Sequence, residues 1–108
     1  MASYLLIESR DPFESRGFAQ RCGLASALVA DGAQVTLFLV ENGVLAARAA
    51  AHVREIQDLG RLGVAVLADD FALRERGITA AQLAREVQPS PIDALVVELE
   101  RGAKAIWN

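Results

Sequence analysis

Short unbroken apolar runs alternate along this chain with longer stretches whose apolar residues recur at helical spacing. Tyr4-Leu5-Leu6-Ile7 has the length of a strand buried on both faces, and the polar, proline-containing Ser9-Arg10-Asp11-Pro12 ends it. From Ser15 to Ala30, Phe18, Cys22, Ala25 and Val29 fall on one stripe of a helix, with Asp31-Gly32 as its stop. Val35 to Val40 is a second strand, rich in β-branched and aromatic residues and closed by Glu41-Asn42-Gly43. An Ala-rich helix is predicted from about Val44 to Leu62, with Leu45, Ala49, Val53, Ile56 and Leu59 along one side and Gly63 behind it. A third strand, Val64 to Ala68, meets Asp69-Asp70; Phe71 to Arg76 is a helical turn stopped by Gly77, and Thr79 is placed as N-cap of a helix over Ala80 to Glu86. Val87-Gln88 reads as a short extended segment at a sheet edge or outside the sheet, because Pro89 cannot donate to a ladder. Ser90 is placed as the cap of a helix with Pro91 at its first position, running through Leu95 and Leu99 to Arg101-Gly102, and Ala103 to Trp107 is the last strand.

Strands that are apolar throughout and alternate with helices imply a parallel sheet joined by right-handed crossovers and covered on both faces. The expected architecture is a three-layer α/β/α sandwich with four to five strands, formed as one domain over residues 1–108. In such sheets ligands bind at the carboxyl ends of the strands. The residues expected there are Glu8, Ser9, Arg10 and Asp11 after the first strand, Glu41 and Asn42 after the second, and Asp69, Asp70 and Phe71 after the third.

Composition removes several function classes. The formal net charge is −3, Lys104 is the only lysine, and the arginines are scattered, so the clustered cations that nucleic-acid binding requires are missing. No apolar run approaches the roughly 20 residues of a membrane-spanning helix, and the first residues lack the basic start of a signal peptide. With Cys22 as the only cysteine, no intramolecular disulfide forms, and a cytoplasmic location is expected. The Ala-rich helices and apolar strands also carry more apolar surface than one small monomer readily hides, which leads to an expected homo-oligomer.

The candidate chemistry is concentrated in carboxylates. Gly32, Gly43, Gly60 and Gly63 build no glycine-rich phosphate cradle, so no nucleotide cofactor is expected. Glu8, Asp11 and Asp69 loosely match the acidic set with which phosphoacceptor receiver domains bind Mg²⁺, but Lys104 stands near the start of the last strand, away from them. The alternative reading is that these aspartates cap the helices that follow. Cys22, within an apolar helical stripe, is expected to be a small buried hydrophobe rather than a reactive thiolate. His52 has no cysteine partners and reads as a boundary residue on the second helix, so no metal site is assigned.

The order of these elements resembles that of a known family. The helix end Ala30-Asp31-Gly32-Ala33-Gln34, the loop Glu41-Asn42-Gly43-Val44, the stretch from Gly63 through Ala68-Asp69-Asp70-Phe71 to Gly77-Ile78, and the closing Gly102 to Trp107 are similar to the DsrE/TusD-like sulfur-relay family, including its DsrE/DsrF-like members. The resemblance implies a parallel α/β/α sandwich, assembly into homo- or hetero-oligomers with a sulfur-relay protein as partner, and a persulfide-carrying cysteine just after the third strand. That cysteine falls on Asp69 here, and a carboxylate cannot hold a sulfane sulfur. The expectation is an accessory, ligand-binding or assembly-forming component linked to sulfur metabolism, with a degenerate site at Asp69 and Asp70. The alternatives are a carboxylate- or metal-dependent enzyme acting on a small substrate in the strand-end cleft, or a sulfurtransferase that uses Cys22.

Overall fold

Apolar runs too short for helices and too continuous for a half-exposed sheet form the centre of the fold. In a computed structural model that describes residues 2–49 and 52–107, five parallel strands make one sheet: β1 (Ser3–Glu8), β2 (Gln34–Leu39), β3 (Ala65–Asp69), β4 (Val87–Ser90) and β5 (Lys104–Trp107). Their order is β4-β3-β2-β1-β5. Four α-helices connect them among the described residues: α1 (Gly17–Ala30), α2 (Val53–Arg61), α3 (Asp70–Glu75) and α4 (Asp93–Glu100). The expected α/β fold is thus present, with the sheet at the upper end of the predicted size.

The strand order decides how the helices are distributed. From β1 to β4 the chain steps one strand at a time in the same direction, so right-handed crossovers place α1, α2 and α3 on one face. β5 returns to the other side of β1, which puts α4 on the opposite face. The larger core accordingly joins Leu6, Val35, Leu37, Leu39 and Val66 to Phe18, Ala25, Ile56, Leu59 and Leu73. The smaller core holds Leu5, Ile7, Phe38 and Val40 under Ala94 and Leu95 of α4.

Several local expectations are corrected. The helix predicted from Val44 to Leu62 is two elements, a 3-10 helix over Glu41–Ala47 and then α2; its residues 50 and 51 and the side chain of Val53 lie outside the described residues. The helix predicted over Ala80 to Glu86 is a single 3-10 turn, Ala80–Gln82, closed by a hydrogen bond from the Thr79 amide to Gln82 Oε1 (2.8 Å). Both changes have one cause. The backbone around Arg48 pairs with that around Leu83, with Ala49 N–H donating to Gln82 O and Ala84 N–H to Ala47 O (2.8 Å each), so those amides are taken from any continuing helix. Ser90 is not a helix cap: it ends β4, buried in register with Asp69, and α4 begins only at Asp93. Pro89 does lie in an edge strand, as its missing N–H requires.

Candidate functional site

The carboxyl ends of β1, β2 and β3 form a polar ridge, whose Glu8, Asp11 and Asp69 carboxylates each accept an amide two residues further along the chain. Glu8 is the last residue of β1 and is fully buried. Its Oε2 accepts the Arg10 amide at 2.9 Å and its Oε1 lies 3.8 Å from Nε of Arg21 on α1. A buried carboxylate is tolerated only with such partners. The carbonyl of Glu8 accepts the Val40 amide at 3.0 Å, and a Cβ on Gly43 would overlap that carbonyl oxygen, so only glycine allows the two loops to approach so closely.

Beyond Glu8 the loop turns at Asp11, whose Oδ1 accepts the Phe13 amide at 2.8 Å. Ser9, Arg10, Asp11, Glu14 and Ser15 from this loop, with Asn42 after β2, line an open cleft of about 320 Å³. Asn42 is fixed from behind, because Arg76 at the end of α3 donates through Nε (3.2 Å) and Nη2 (2.9 Å) to its Oδ1 while Nη1 donates to Ala72 O (3.1 Å). Arg10 lines this cleft together with two acidic residues, Asp11 and Glu14, a mixed-charge lining suited to a small polar molecule. Glu41 is exposed with φ 49°, in the left-handed region that side chains adopt at a cost, and it opens the 3-10 helix behind this cleft.

The structure separates the remaining expected residues from this group. Asp69 is the N-cap of α3, its Oδ1 accepting the Phe71 amide at 3.3 Å. Asp70 lies 3.8 Å from Arg74 one turn along, and Phe71 is exposed with the Arg74 guanidinium 6.0 Å from its ring. Arg10, Asp11 and Asn42 therefore meet in the cleft with Glu8 beneath it, Glu41 adjoins Asn42 in sequence, and Asp69, Asp70 and Phe71 belong to the α3 junction. Among the described residues, no three or more His, Cys, Asp or Glu side chains come together in a way that could hold a metal ion.

Cys22 is half-buried against the larger core rather than fully enclosed. Burial, and then the negative charges of Glu55, Asp58 and Glu8, push its thiol up to about 12. His52 immediately precedes α2 with its ring between Phe13 (5.7 Å) and Phe18 (4.9 Å) and its Nδ1 3.8 Å from Glu55. Ser9 lines the cleft as expected, whereas Glu14, Ser15, Arg21 and Arg76 were not among the residues that sequence placed at the site. The Asp11-Pro12-Phe13 turn was the available signal for the serine and glutamate positions; no spacing in the chain links Arg21 to Glu8 or Arg76 to Asn42.

The geometry defines a parallel five-stranded α/β fold with a strand-end cleft. Among solved structures the chain is similar to YchN from E. coli, with a TM-score of 0.91 at 19% identity over 100% of both chains. It is also similar to two proteins of unknown function: MTH1491 from Methanobacterium thermoautotrophicum (TM-score 0.82, 19% identity, 99% of this chain and 98% of that one) and BT1422 from Bacteroides thetaiotaomicron (0.76, 18%, 98% and 94%). Identities this low establish the shared fold and nothing finer. No family model matches the sequence, and no curated protein matches it. No helix among the described residues is long and apolar enough to cross a membrane.

Proposed function

We propose that this chain is a DsrE-like subunit without a sulfur-carrying thiol, an accessory and assembly-forming component of sulfur metabolism in the cytoplasm that binds a partner protein or a small polar ligand. The observation that carries this reading is the state of Asp69. At the position where the sequence resemblance implies a persulfide cysteine, a carboxylate caps α3 through the Phe71 amide. The one thiol, Cys22, sits on another element with its proton held to about 12. A thiolate is the attacking species in sulfur transfer, so this site is unsuited to accept sulfane sulfur. The cleft of Arg10, Asp11 and Asn42 supports the ligand-binding part of the reading, and exposed apolar side chains on α4 and β5 support assembly.

Mass spectrometry of the native protein after exposure to a persulfide donor tests it. The expected result is an unmodified chain, with persulfide appearing on Cys22 only after denaturation. Rapid persulfide formation on native Cys22 would establish the sulfurtransferase alternative instead.

A further inference from the structure

Asn42 has only one half of its amide left to offer the strand-end cleft. A guanidinium donates and never accepts, so the two Arg76 contacts at 3.2 and 2.9 Å fix their partner atom as Oδ1 and leave Asn42 with its Nδ2–H groups alone. Arg76 is half-buried and tied in turn to Ala72 O at 3.1 Å, so the orientation is imposed by α3. Arg10 adds to the same set of donors. Its amide is spent on Glu8, but its guanidinium meets no carboxylate or other acceptor among the described residues, although Asp11 follows it in the chain. Ser15 Oγ accepts the Gly17 amide at 3.0 Å, which leaves its O–H proton as a further donor.

The acidic side of the lining is held as firmly. Glu14 N–H donates to Asp11 O at 3.1 Å across a turn with Pro12 as its second residue, which brings the α-carbons of Asp11 and Glu14 within about 7 Å of each other. Asp11 Oδ1 is taken by the Phe13 amide, so its Oδ2 and the exposed Glu14 carboxylate remain as acceptors. The cleft thus carries two unlike sets of unmet groups, donors from Arg10, Asn42 and Ser15 and carboxylate oxygens from Asp11 and Glu14. A simple anion would meet the first set but stand against two carboxylates, and a simple amine would leave the guanidinium and the amide without an acceptor. A molecule with both charges a few bonds apart satisfies both sets through charge-assisted hydrogen bonds. At about 320 Å³ the cleft lies at the lower end of the range for small-molecule pockets, so that molecule is small.

We propose that the strand-end cleft binds a free α-amino acid as its zwitterion, the carboxylate held by the Arg10 guanidinium and Asn42 Nδ2 and the ammonium by Asp11 and Glu14. This rests on the small-polar-ligand part of the proposed function and names the ligand class. Arg76 is a positioning residue: it touches no ligand and acts by keeping the Asn42 amide turned with its donors outward.

Nuclear magnetic resonance titration of the ¹⁵N-labelled full chain with each common L-amino acid tests the assignment. At least one is expected to shift the amides of Arg10, Glu14 and Asn42, and its deamino and decarboxy analogues should bind about tenfold or more weakly. Asn42→Asp keeps the size of the side chain and an oxygen for Arg76 but loses both donors, and should weaken binding about tenfold or more without lowering the thermal midpoint. Asp11→Asn, which keeps Oδ1 for the Phe13 amide and removes the charge, should weaken it similarly. Arg76→Leu should weaken it as well, with Arg76→Lys, still able to donate to Oδ1, recovering part of the loss. A deamino analogue that binds as tightly as its amino acid, or an Asn42→Asp variant that binds like the wild type, overturns the zwitterion while leaving the cleft as a ligand site. Absence of any shift overturns the proposal outright, whereas the reading of the chain as lacking a sulfur-carrying thiol fails only if native Cys22 takes up persulfide, a separate measurement.

Discussion

At the scale of single residues, Cys22 and Gly43 give the sharpest expectations. The unfolded chain releases the Cys22 proton near its ordinary value of 9.0, whereas the folded chain holds it to about 12. The folded state therefore binds more protons than the unfolded state in that window, and stability falls as pH rises through it. The contribution of this site is complete below pH 9.0 and is lost as pH climbs toward 12. Urea midpoints of the wild type should accordingly fall more steeply across this range than those of Cys22→Ala, in which every other titrating group remains. Equal slopes would show that the thiol keeps an ordinary proton affinity. Gly43→Ala should be destabilising by roughly 1 to 3 kcal/mol, since its new Cβ meets the Glu8 carbonyl, a backbone group that cannot turn aside. A thermal melt of Gly43→Ala within error of the wild type would show that the β1 and β2 loops have room to separate.

Among the elements, those defined by local pattern were legible in the sequence and those defined by long-range backbone pairing were not. The apolar runs of β1, β2 and β3 and the stripe through Phe18 and Ala25 announce themselves, and Pro89 marks an edge because a missing donor excludes it from the sheet interior. The Ala-rich stretch after β2 has high intrinsic helix propensity, yet it breaks near Arg48 because the facing segment at Leu83 captures its amides. Neither segment shows this alone, since the pairing joins residues 35 positions apart. The site was readable in the same measure. Arg10, Asp11 and Asn42 follow from the rule that strand ends carry ligands, whereas the support from Arg21 to Glu8 and from Arg76 to Asn42 depends on how α1 and α3 pack.

For the whole molecule, the strand order sets an unequal coverage of the two sheet faces. Three helices cover one face and a single helix the other, so the strand order that creates the fold also leaves Ile92, Val96, Val97, Leu99 and Trp107 exposed on and beside that single helix. The strand-end ridge is divided into a cleft over β1 and β2 and a capped junction after β3. Whether that junction is structural or reactive is decided most directly by urea denaturation of Asp69→Ala beside Asp69→Asn. A structural cap requires Asp69→Ala to lower stability by about 0.5 to 2 kcal/mol, with Asp69→Asn retaining most of it because asparagine caps nearly as well. A midpoint that rises in both variants would mean that Asp69 is held against repulsion from neighbouring carboxylates, as a reactive acidic site requires, and would contradict the capped-scaffold reading.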